Sequence, residues 1–116
     1  MKMRLKIFAF IAIVAMSVSG HANAGYFSAG KILSLCVSEK GFETAYCNIY
    51  LASISDAQDM FVGWGGMPKR FCIPERVNLN QLKEIYIKHA NGNPQELHLT
   101  AASMVINAFL KAFPCK

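Results

Sequence analysis

No stretch of this 116-residue chain is apolar for the roughly 17–25 residues that a membrane-spanning helix needs. The longest run, Ile7 to Met16 and on through Ser17 to Val18, reaches only about 12, so no permanent membrane anchor is expected. Charge is sparse too. Asp, Glu, Lys and Arg make up 16% of the residues against 53% hydrophobic ones, which excludes intrinsic disorder. His-x-x-x-His and Cys-x-x-Cys spacings are both missing, so neither a metal site nor a cofactor is expected. The Gly63-Trp64-Gly65-Gly66 cluster lacks the Lys-Ser/Thr that would follow it in a phosphate loop. There is no internal repeat and no low-complexity segment, and the length admits one domain, which excludes a two-domain enzyme.

Three of the 12 basic residues, Lys2, Arg4 and Lys6, precede the apolar run, and together they read as the n-region and h-region of a secretory signal. Ala22-Asn23-Ala24 supplies a small-x-small cleavage site. Residues 1–24 are therefore expected to be a signal peptide cut after Ala24, and residues 25–116 a single exported domain. No Cys stands at the cut, so a lipid anchor is not indicated. Without those three charges, nine Lys+Arg face seven Asp+Glu, and the sequence pI of 9.2 mostly describes the discarded segment. Nucleic acid is not an expected partner.

The mature part reads as all-α, a small bundle of about four helices in two hairpins. Ser28 can cap a helix through roughly Val37, which Gly41 stops. From about Phe42 to Val62, Tyr46, Ile49, Tyr50, Ile54, Ala57 and Phe61 recur every three or four residues as the apolar face of a second helix. The glycine cluster, Pro68 and Pro74 impose an irregular connection. Asn78 with Gln81 is a capping-box start for a third helix, whose inner face carries Leu79, Leu82, Ile85, Tyr86 and His89. After the Asn91-Gly92-Asn93-Pro94 turn, a fourth helix is expected from about Gln95 to Ala112. Its polar stripe is narrow, so it must be buried on several sides, centrally or partly against a second protomer.

Four cysteines allow three pairings. In an antiparallel hairpin, residues equidistant from the turn face each other. The point midway between Cys36 and Cys47 falls beside Gly41, and that between Cys72 and Cys115 falls at Asn93-Pro94. One rule thus pairs Cys36 with Cys47 and Cys72 with Cys115. The loop-entropy model assigns about 3 kcal/mol to the shorter loop and about 4 to the longer.

With all four cysteines consumed, the best nucleophiles are gone. His89 reads as a packed or helix-terminal residue and His98 as a surface or capping group in the first turn of the fourth helix. The seven acidic residues form no catalytic pair, so the chain is not expected to be an enzyme. Trp64 is read as a plug closing one end of the bundle, the alternative being an exposed binding anchor; Lys69, Arg70 and Arg76 sit near it in sequence.

Phe71-Cys72-Ile73-Pro74, the Gln81-Leu82 helix after it, Asn93-Pro94-Gln95-Glu96-Leu97-His98 and the closing Ala108-Phe109-Leu110-Lys111-Ala112-Phe113-Pro114-Cys115 resemble the Rap/Tai family of small periplasmic helical proteins. The resemblance covers nearly the whole mature part, Cys36 and Cys47 included. It implies a periplasmic immunity protein that binds a peptidoglycan amidase delivered by type VI secretion and blocks its cleft sterically, as a homodimer. On that reading the blocking surface is placed on the turn Ala90 to Glu96, with Asn91, Gly92, Asn93 and Glu96 as contacts, and the loop bearing Trp64 is the second candidate. The turn is expected to be tied at its base by the Cys72–Cys115 bridge. The competing class is a periplasmic acid-stress chaperone or another small secreted helical binding module.

Overall fold

The computed structural model describes residues 25–116. The expected signal segment and its cut after Ala24 lie outside the described residues. Four α-helices form the bundle: α1 (Ala29–Cys36), α2 (Gly41–Gly63), α3 (Leu79–Asn91) and α4 (Ala101–Ala112), with a short 3-10 turn at Pro94–Glu96 before the last. Both disulfides pair as the midpoint rule requires, Cys36 with Cys47 and Cys72 with Cys115.

Helix starts follow local chemistry. Ser28 caps α1 by accepting from the Lys31 amide at 3.2 Å. At α3, the Asn78 side chain accepts from the Gln81 amide at 3.0 Å while Gln81 accepts from the Asn78 amide at 2.8 Å, a complete capping box. The α2 start has no side-chain cap. Glu43 in its first turn partly compensates, and its carboxyl is held below the usual range chiefly by a hydrogen bond from Ser38, with help from Lys40.

The second helix presents a different face from the one its apolar spacing suggests. Cys47, Leu51 and Gln58 are its buried residues, whereas Tyr46, Ile49 and Phe61 are 62%, 64% and 45% exposed. The Cys36–Cys47 bridge explains the rotation, because Cys47 must face α1, and Tyr46 and Ile49 are then turned outward. Tyr50, Ile54 and Ala57 lie at the boundary, half-buried. In α3 the inner face is Leu82, Tyr86 and Ala90; Leu79 is exposed, and Ile85 and His89 are half-buried.

The fourth helix begins at Ala101 rather than Gln95. Its expected first turns are diverted into tertiary pairing, which outcompetes local propensity. The carbonyls of Leu99 and Leu97 accept the amides of Ala29 and Gly30, both at 2.8 Å, and Ala101 donates to Phe27 at 2.9 Å. Those α1 amides have no partner inside their own helix, so the loop before α4 satisfies them. Gly30 permits the approach: a Cβ there would stand 3.3 Å from the Leu97 carbonyl oxygen. His98 therefore lies in this loop, exposed, and not in a helix.

Helix α4 packs against all three others and buries Ala101, Met104, Val105, Ala108 and Phe109, the central position its narrow polar stripe requires. Phe109 meets Phe71 edge-on at 5.4 Å. Tyr86 is fully buried and its hydroxyl donates to the Ala29 carbonyl at 2.8 Å, joining α3 to α1. Burial pushes that hydroxyl far above the ordinary tyrosine value of 10.0.

Tyr86→Phe is expected to lower stability by about 1 kcal/mol in urea unfolding at neutral pH. Because the folded-state value is raised, the hydroxyl's contribution is complete below the unfolded value and is lost as pH climbs toward the folded one. Alkaline titration should therefore destabilise the parent chain above about pH 10 and the phenylalanine variant less steeply.

Candidate partner-binding surfaces

The turn after α3 is built from backbone hydrogen bonds. Gly92 caps the helix, Asn93 donates its main-chain amide to Ala90 at 3.1 Å, and Glu96 donates to Asn93 at 3.0 Å. The Asn93 side-chain amide also donates to the His89 carbonyl at 2.7 Å, so this residue closes the helix end as well as lining the turn. Asn91 and Gly92 are exposed, while Asn93 and Glu96 are half-buried. The Cys72–Cys115 bridge does not tie this turn. It lies at the other end of the hairpin, where Phe71 pairs with Pro114 and the Cys72 amide donates to Phe113 at 2.8 Å. The amides of Ala29 and Gly30 instead hold the residues just after the turn, through the Leu99 and Leu97 carbonyls.

At the far end of α2, the amide of Gly66 donates to Phe61 at 3.0 Å and that of Gly65 to Val62 at 2.9 Å, the Schellman pattern. Gly65 supplies the left-handed residue it needs, with φ of 72°. This ending turns Trp64 outward. It is 73% exposed and touches Phe61 edge-on at 5.9 Å, beside the part-exposed Met60, so it does not plug the bundle. Of the nearby basic residues, Lys69 pairs with Asp59 at 3.3 Å, and Arg70 and Arg76 are exposed.

Gln58 was not singled out from the sequence, yet it organises the connection that follows. Buried at 6% exposure, its side-chain oxygen accepts from the amides of Arg70 at 2.8 Å and Phe71 at 3.1 Å, and its nitrogen donates to the Phe71 carbonyl at 3.0 Å. The available signal was a polar residue continuing the Cys47–Leu51–Ile54 stripe at helical spacing. A third surface lies between α1 and α2, an apolar groove of about 420 Å³ flanked by Phe27, Leu35, Tyr46, Ile49 and Tyr50. Among the described residues, no group of three His, Cys, Asp or Glu side chains could hold a metal ion, and both pairs of cysteines are bridged.

Residues 28–115 match the family described as Rap1a immunity proteins, and that stretch contains all four helices and both bridges. The chain belongs to the Rap1a immunity protein family. No curated protein and no solved structure matches it. Rap1a immunity proteins are non-catalytic. Membership supports a role as an immunity protein against an amidase effector of type VI secretion, with that effector as partner. None of the described Rap1a-family helices is long and apolar enough to cross a membrane.

Proposed function

We propose that the chain, cut after Ala24, acts in the periplasm as a homodimer that occludes the cleft of a peptidoglycan amidase, with the turn Asn91–Glu96 as the blocking element. The family match over residues 28–115 carries this reading. It is supported by the form of the turn, in which exposed Asn91 and Gly92 stand on a segment closed by its own backbone hydrogen bonds and followed directly by residues bonded to α1. Little ordering entropy would be lost when such a segment enters a cleft. Glu96 is assigned to a basic group of the amidase, and Trp64 to an anchoring contact outside the cleft.

The test is co-purification of the mature chain with the amidase encoded beside it, together with survival of cells that direct that amidase to the periplasm. Intact mass of periplasmic protein should begin at Gly25. A stable complex and protected cells are expected. Protection of unrelated proteins from acid aggregation without amidase binding would replace this reading with the chaperone.

The homodimer is assigned to the groove between α1 and α2. A two-fold interface must be self-complementary, and here protruding Tyr46 and Ile49 stand beside the hollow that a partner's copies would fill. Sedimentation of the wild-type chain should give twice the monomer mass. Tyr46→Glu with Ile49→Glu should give the monomer with unchanged helicity, since both side chains are already exposed. A wild-type chain that sediments as a monomer would remove the assignment.

A further inference from the structure

A groove of about 470 Å³ runs along α3 and α4 from the turn at Gly92 toward the end of α4. Ile85 and Ala108 contribute apolar lining, and Lys88, His89 and Lys111 stand around them; no acidic residue lines it. The ion pairs of the described residues join Lys40 with Glu43 and Lys69 with Asp59, so none involves these three. Glu84, one turn before Lys88, lines a neighbouring hollow with Asn78 and Gln81 instead.

Helix dipoles favour a basic residue in each last turn, where Lys88 and Lys111 sit. They do not require that residues from two helices converge on one groove. Convergent cations beside an apolar lining attract a carboxylate more strongly than scattered surface lysines do, because their potentials add at one place.

We propose that this groove receives an acidic segment of the amidase, so that the turn enters the cleft while Lys88, His89 and Lys111 grip the acidic side chains beside it. The proposal rests on the reading that the turn is the blocking element. It adds what the neighbouring surface recognises, and it assigns the partner an acidic rim.

Calorimetric titration of the mature chain with a catalytically inactivated form of the neighbouring-gene amidase, at low and high salt, tests it. Lys88→Glu with Lys111→Glu is expected to weaken binding at least about tenfold at low salt and to flatten its salt dependence. Lys88→Ala with Lys111→Ala should fall between, and Lys40→Glu, a charge reversal outside the groove, should stay within about twofold. All the substituted lysines are exposed, and unchanged melting would confirm intact folding. Wild-type binding with no effect of the charge reversals would overturn the groove alone. A wild-type chain with no affinity for the amidase would overturn the groove and the blocking turn together. Displacement of the amidase by soluble anionic wall peptides, lost in the lysine variants, would assign the groove to peptidoglycan and overturn the acidic-segment proposal.

Discussion

Removing the Cys72–Cys115 bridge through Cys72→Ser with Cys115→Ser is expected to cost about 4 kcal/mol, a large part of the roughly 5–15 kcal/mol that holds a small domain together. The separation of 43 residues sets the loop term. Cys115 is exposed and Cys72 half-buried, so serine meets water and little else is lost. The Cys36–Cys47 bridge closes a separation of only 11, which gives about 3 kcal/mol from the same term. There, however, both cysteines lie in the core, at 3% and 0% exposure. Two serines would bury two hydroxyls, each adding about 1–3 kcal/mol if it finds no partner.

The order suggested by loop length is therefore expected to reverse for serine variants, the short bridge becoming the costlier to lose. Replacing each pair with alanine removes the hydroxyl penalty and should bring the two losses closer. Urea unfolding followed by circular dichroism measures both. A loss below about 1 kcal/mol for the long bridge would show that the unfolded chain is already restrained without it.

What could be read from residues alone was local or set by chain geometry. The capping box at Asn78 and Gln81 and the cap at Ser28 need only three or four consecutive residues. The bridge pairing needs only the position of two turns. The start of α4 was not legible, because Pro94–Thr100 carries no signal that its carbonyls are wanted by amides about 70 residues earlier. The face of α2 failed for a related reason. Two apolar stripes share that helix, and periodicity cannot choose between them; the Cys36–Cys47 bridge does. The pairing combined with the helix places Cys47 inward, and so Tyr46 and Ile49 outward. Trp64 was misplaced because a tryptophan between glycines can serve as a plug or as an anchor, and the plug was preferred. Only the Schellman ending of α2 decides its direction.

That outward direction makes Trp64 the residue whose loss should weaken the complex most. An exposed tryptophan carried on a fixed helix end, with Phe61 and Met60 beside it, has the composition and rigidity of an interface anchor. At about 1.5 Å per residue, about 21 Å of α2 separates it from Tyr50, which meets Phe27 edge-on where Phe27 accepts the Ala101 amide at the start of α4. An interface of ordinary size, roughly 30 Å across, is wide enough to take in both. Trp64→Ala is therefore expected to reduce amidase affinity at least about 30-fold, equivalent to roughly 2 kcal/mol. Stability should hardly change, because the side chain is mostly in water already. Asn91→Ala is the matched variant at the turn, chosen over Asn93→Ala because Asn93 also closes α3 through the His89 carbonyl. It should reduce affinity only a few-fold, yet leave residual amidase activity at saturation, since a turn that fits the cleft poorly no longer excludes substrate. Affinity and occlusion would then divide between the two ends of the bundle. Full affinity in Trp64→Ala, with full inhibition lost in Asn91→Ala, would confine the contact to the turn and leave the Trp64 cluster outside it.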